Sequence, residues 1–328
     1  MFATRLLFSW IGALGLAAGA FGQTYVQISI TNQTFPYSIN ERGQIAGFYV
    51  DVAGMTHGFV RVPLGTITTF DPVGSSGTTA YSINNEGTIT GVYVDFGGIT
   101  HGFVRDPGGT ITTFDPPGSI STYALSINAG GAVTGTYSGS DNVFHGFVRR
   151  ADGTLVSFDV PGSVATQPSS INAEGTIVGL YQTDVAGNWY AFVRQPEGTF
   201  ASLDAPGSTA TIPISINGAG AITGSYTVAN GRTFGFVRGA DGKFTSFDPG
   251  PNTYPYIINN AGAITGSRDI APSGFVRLPQ GTITLFDAPF CQPGTTGPLS
   301  INDGGVITGV CNVLTPYGSL ATGFVRYP

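Results

Sequence analysis

Residues 78–118 read TTAYSINNEGTITGVYVDFGGITHGFVRDPGGTITTFDPPG, and the chain repeats that text, with small variations, seven times. Each copy is anchored by one asparagine: Asn40, Asn84, Asn128, Asn172, Asn217, Asn259 and Asn302, so successive units begin 42 to 45 residues apart. A steady period of that length belongs to propellers and solenoids, in which one small unit is stacked on copies of itself. Within the unit, four short runs rich in β-branched and aromatic residues are bounded by Gly, Asn, Asp and Pro, which reads as four strands. Strand A lies around Ser82-Ile83-Asn84, strand B from Thr88 to Asp95, strand C from His101 to Arg105, and strand D from Thr110 to Asp115.

The spacing also orients the unit. The A–B and C–D connections are short and constant, while all length variation falls in the B–C and D–A connections. In an up-and-down antiparallel sheet alternate connections share an edge, so the variable loops occupy one face and the invariant turns the other. Gly recurs three residues after each anchor (Gly43, Gly87 and onward), where a tight turn needs positive φ. It recurs again at plus seven (Gly47, Gly91 and onward), inside strand B, where a missing side chain implies close approach by a neighbour.

The two ends of the repeat array are complementary. The last copy, ending at Phe324-Val325-Arg326, has strands A to C but no D, and Thr24–Ile30 (TYVQISI) resembles a lone strand D ahead of the first copy. Supplying the missing outer strand from the other end closes a ring and removes an open edge, whereas a solenoid needs caps. The expectation is an all-β, seven-bladed β-propeller of four antiparallel strands per blade, spanning residues 23–328 as one domain. The HGFVR, FDxPG and SINxxGxIxGxY elements, which cover nearly all of that span, resemble the HAF-type extracellular repeats of bacterial secreted proteins. Gly replaces the family's Ala in most copies, and Ala191-Phe192 comes nearest to it. The resemblance implies a propeller-like fold and an extracellular setting, and carries no catalytic residue.

Composition narrows the function. With 50 Gly, 21 Pro, 12% aromatic and 10% charged residues, the chain suits turn-punctuated strands. A net charge of −6, with Lys243 the sole lysine, excludes nucleic acid and anionic membrane surfaces as natural partners. Arg5, the apolar run Leu6–Ala20 and the small residues that follow read as a secretory signal peptide over residues 1–22, too short for a comfortable membrane span. The expectation is therefore a secreted or periplasmic monomer without a membrane anchor. Cys291 and Cys311, an even pair in such a compartment, are expected to form a disulfide.

The repeated polar residues read as scaffold. His57, His101 and His145 face Asp71, Asp115 and Asp159 across the C–D hairpin, yet later copies carry Tyr190, Phe234, Ser273 and Thr322 at the His position while the Asp persists. The Asp is expected to open the D–A loop by an Asx-type turn. The seven arginines that end strand C (Arg61, Arg105, Arg149, Arg194, Arg238, Arg277, Arg326) are expected to bond turn carbonyls or a carboxylate. No catalytic residue, metal ligand or cofactor is assigned; calcium at the Asp-bearing loops has weak support, since no dense Asp-x-Asp-x-Asp-Gly run occurs. Irregular residues belong to the variable-loop face: Tyr81, Tyr123, Trp189, Tyr254, Tyr256, Tyr317, Asp95 and Asp184. Aromatic rings among polar groups suit an extracellular glycan, or a protein partner. The alternative is a polysaccharide lyase or glycosidase with acidic residues at the channel mouth on that face.

Overall fold

The computed structural model describes residues 16–18, 22–31, 33–63, 65–184, 187–316 and 318–328. They form seven antiparallel sheets arranged as a ring, a seven-bladed β-propeller. Blade 2 is representative: Ser75–Ile83 (A), Ile89–Asp95 (B), Thr100–Arg105 (C) and Ile111–Phe114 (D) pair in sequence order. Ile83 pairs with Ile89, Gly91 with Phe103, and Val104 with Thr112. A bulge between Ala80 and Ser82 turns strand A, and a bulge recurs at the equivalent place in the other blades.

Both glycine rows do what their spacing implies. Gly87 has φ 88°, and all seven glycines at plus three lie in the left-handed region. At plus seven, a Cβ on Gly91 would collide with the Thr79 carbonyl oxygen, because strand A crosses strand B at its bulge without room for a side chain.

The core lies between blades. Phe103 and its equivalents, from Phe59 to Phe324, are almost wholly buried, as is the first residue of each strand B, from Ile45 to Ile307. Burying a Phe side chain contributes about 1.5–3 kcal/mol, so the seven-fold row is a principal source of stability. Four of the seven inner Phe meet the strand-D Phe of the preceding blade edge-on: Phe103 with Phe70 at 5.9 Å, Phe147 with Phe114 at 5.8 Å, Phe275 with Phe247 at 5.9 Å and Phe324 with Phe286 at 6.4 Å.

Closure follows the expected route. Thr24–Ile28 pairs antiparallel with Gly318–Tyr327, Val26 facing Val325, and completes blade 7. A further strand, Leu16–Ala18, lies outside it with Ala17 facing Tyr25, within the expected leader. Residues 1–15 and 19–21 of that leader lie outside the described residues. Cys291 in the D–A loop and Cys311 in strand B of blade 7 are joined as a disulfide with Cα atoms 5.9 Å apart. No helix among the described residues is long and apolar enough to cross a membrane.

Candidate functional site on the variable-loop face

The most regular residues are consumed in building the ring. Each anchor Asn uses its Oδ1 to hold its own A–B turn, as Asn84 does by accepting from the N–H groups of Glu86 and Thr88. Its Nδ2 donates to the carbonyl of the next blade's Asn: Asn40 to Asn84, Asn84 to Asn128, and so on until Asn302 donates to Asn40, all at 2.8–3.2 Å. The seven side chains close a circle, a role the spacing alone did not disclose. Beside it runs a second belt. Ser38, Ser82, Ser126, Ser170, Ser215 and Ser300 accept the N–H of the following blade's Ile at 3.2–3.4 Å. Ile257 replaces the seventh serine. These belts line an axial chamber of about 200 Å³ at the invariant-turn end.

The arginines lie over rings. Arg105 stands 4.9 Å from the centre of Phe70, Arg149 5.1 Å from Phe114, Arg194 4.6 Å from Phe158, Arg277 5.2 Å from Phe247 and Arg326 4.9 Å from Phe286, each across a blade boundary. Arg105, Arg149, Arg194 and Arg277 also donate to the carbonyl of the next residue, as expected for the turns. The cation–π partner was missed because it belongs to the previous copy of the repeat. Leu203, which replaces that Phe once, was the available signal.

Each histidine stands between two carboxylates. Nδ1 of His57, His101 and His145 lies 2.7, 2.7 and 2.8 Å from Asp71, Asp115 and Asp159. Nε2 faces Asp51, Asp95 and Asp141 at 3.4, 3.4 and 3.5 Å. The rings pack on Tyr49, Tyr93 and Tyr137. Burial alone would lower each imidazole pKa, but hydrogen bonds and charge from the two carboxylates outweigh it and raise the value. In blade 5 the guanidinium of Arg232 takes over, pairing with Asp248 above Phe234. In blade 6 Asp287 accepts from the N–H and hydroxyl of Ser273. An Asx-type bond is present at Asp248, which accepts from Gly250 N–H. Elsewhere the D–A turn is closed by the backbone, as from Ser75 N–H to the Pro72 carbonyl, or tied by the strand-A threonine, as from Val160 N–H to Thr166 Oγ1.

What remains unspent lies on the variable-loop face. Apart from Val62 and Leu278 in C–D turns, every large hydrophobic side chain exposed among the described residues lies in B–C or D–A loops or at the strand ends beside them. Phe96 and Leu314 are 81% and 77% exposed. The predicted residues divide by depth. Tyr81 is half-buried against the edge of Tyr37 at 5.5 Å, and burial, then repulsion from Tyr37 and Tyr123, raises its phenol pKa. Tyr123 is half-buried on strand A of blade 3. Tyr256 bonds Ser267 Oγ at 3.1 Å, whereas Tyr254, two residues earlier, is exposed. Asp95 is engaged with Ile99 N–H and His101. Asp184 is exposed. Tyr317 lies outside the described residues. Trp189 opens strand C of blade 4 (Trp189–Arg194) and lines a groove of about 410 Å³ between blades 4 and 5, with Gln167, Leu180, Asn188, Thr209 and Ile212.

Neither a protein-family model nor a curated protein matches the chain. Solved structures do. It is similar to a streptogramin B lyase structure (15% identity, TM-score 0.59, 92% of this chain and 97% of that one). Virginiamycin B lyase from Staphylococcus aureus superposes at TM-score 0.60 with 14% identity, over 92% and 98% of the two chains. The β-propeller domain of the Trilobed protease from Pyrococcus furiosus gives TM-score 0.64 at 9% identity, over 89% and 94%. At such identities the likeness establishes the propeller fold alone.

Proposed function

We propose that this is an exported recognition protein that binds an extracellular partner, glycan or protein, through its variable-loop face and turns over no substrate. The observation that carries the reading is the segregation of exposed apolar side chains onto that face. The repeated residues support it from the other side, since their Asn, Ser, Arg and His groups are engaged in joining strands and blades. Export is argued from the leader over residues 1–22 and from the Cys291–Cys311 bond, which suits an oxidising compartment. Cleavage after Gly22 would remove Leu16–Ala18 and leave blade 7 with four strands like its neighbours.

The test is a screen of the protein against extracellular glycans and matrix proteins, with a variant carrying Phe96→Ser, Tyr254→Ala and Ile270→Ser in parallel. Retention without product release, weakened in the variant, is the expected result. Release of product, abolished by replacing carboxylates on this face, would overturn the reading in favour of an enzyme. So would binding that maps to the C–D turns.

A further inference from the structure

We infer that the groove between blades 4 and 5 is a subsite for a neutral sugar, with Trp189 as its stacking platform. The inference rests on reading the variable-loop face as the recognition surface, and deepens that reading by naming the ligand's chemistry. The groove has the volume of a small-molecule site, near the lower end of the usual range of about 300–1,000 Å³. Its aromatic wall is free: among the described residues Trp189 meets no other ring, and its indole N–H has no hydrogen-bond partner. Tryptophan at this position occurs in this blade alone: Thr56, Thr100 and Thr233 stand at the same point in blades 1, 2 and 5, and Phe144 in blade 3.

The polar groups divide into those committed and those available. Thr209 Oγ1 bonds the Thr227 carbonyl, Thr211 Oγ1 accepts from Ala205 N–H, and Gln182 Nε2 bonds the Gly187 carbonyl beneath the loop that carries Trp189. Among the described residues the side-chain amides of Gln167 and Asn188 have no such partners. Each amide presents both a donor and an acceptor, which is what adjacent ring hydroxyls require. Leu180 and Ile212 add apolar walls, so that a pyranose would lay its C–H face on the indole and its hydroxyl edge on the amides. Among the described residues no charged side chain lines the groove, and the exposed Asp184 lies beside it, its carboxylate against Gly187 of the lining. A hexose unit fits this balance; a uronate, which would face Asp184 with no cation to offset its charge, does not.

Trp10 and Trp189 are the two tryptophans of the chain, so removal of the leader leaves Trp189 as the single indole fluorophore. The full-length protein, freed of its leader, is titrated with neutral hexose oligosaccharides and with matched uronate oligosaccharides. Emission and iodide quenching are followed, and calorimetry supplies affinities. Neutral oligosaccharides are expected to shift the emission and shield the ring. Trp189→Ala should weaken binding by about tenfold or more, and Gln167→Ala or Asn188→Ala by several-fold, each with an unchanged unfolding midpoint. Trp189→Phe should restore part of the affinity. If neutral sugars bind as tightly to Trp189→Ala as to the parent, or if uronates bind equally well, the subsite is wrong while the recognition face stands. Binding of matrix proteins with no sugar bound in the groove also refutes the subsite alone. Absence of any partner on the face refutes both.

Discussion

Asn84 shows how much one side chain carries. It fixes its own turn with the carbonyl end of the amide and ties two blades with the nitrogen end, so neither Asp nor Ala can replace it. Asn84→Asp keeps the acceptor but removes the donor, leaving the Asn128 carbonyl with Gly131 N–H alone and facing a carboxylate across the blade boundary. The expected cost is about 1–3 kcal/mol by denaturant unfolding. The same change at exposed Asn85 should cost less. Gly91→Ala tests the other repeated contact: the new Cβ meets the Thr79 carbonyl oxygen, and overpacking of about 1–3 kcal/mol is expected in the same measurement. The turn glycine and the in-strand glycine were legible in the sequence because their constraint is local and only Gly satisfies it. The Asn circle was not, since its second partner lies one repeat away and the spacing of 42 to 45 residues does not reveal which atoms meet.

At the level of the hairpin, blades 1 to 3 share a device that later blades replace. An imidazole between two carboxylates joins the B–C loop, strand C and the end of strand D. Because the folded-state pKa of each His is raised, its stabilisation is complete below the unfolded value of about 6.5 and is lost as pH rises through the folded value. Asp51, Asp95 and Asp141 are shifted down, chiefly by the backbone N–H groups of Met55, Ile99 and Val143; their contribution is present above about 3.9 and lost on acidification. Thermal midpoints should therefore fall on the alkaline side of neutrality. The triple variant His57→Phe, His101→Phe, His145→Phe should show a flatter profile there, while the acid limb persists through the backbone N–H groups that hold the aspartates down. An identical alkaline slope in the variant would refute the assignment. The His–Asp facing was readable from the constant C–D spacing. The second carboxylate was not, because it arises from the B–C loop, the connection whose length varies. The same reason hid the Trp189 groove: its wall is shared between two blades and follows no repeat.

Over the whole molecule, stability depends on one ring having one seam. Blade 7 draws strand D from residues 24–28, and the disulfide secures its strand B to the preceding loop. Replacing both cysteines by Ser frees a segment of 20 residues and should cost about 2–4 kcal/mol, read as a lower unfolding midpoint with the fold retained by circular dichroism. Deleting residues 24–28 should do more, exposing the edge of strand Gly318–Tyr327 and promoting association, detectable by light scattering. The ring, its blade number and this closure were legible because the repeat is complete and its missing strand conspicuous. What the face recognises depends on residues that break the pattern.

The Asn circle has a further consequence. Because each blade offers its successor the same amide and receives the same amide from its predecessor, this circle does not distinguish one neighbour from another. Thr24 already faces Tyr327, so a short linker between those ends, with new termini opened at the exposed hairpin tip of Gly97 and Gly98, should give a circular permutant with the same fold. The cut then falls in blade 2, and the joint that nature left non-covalent becomes continuous chain.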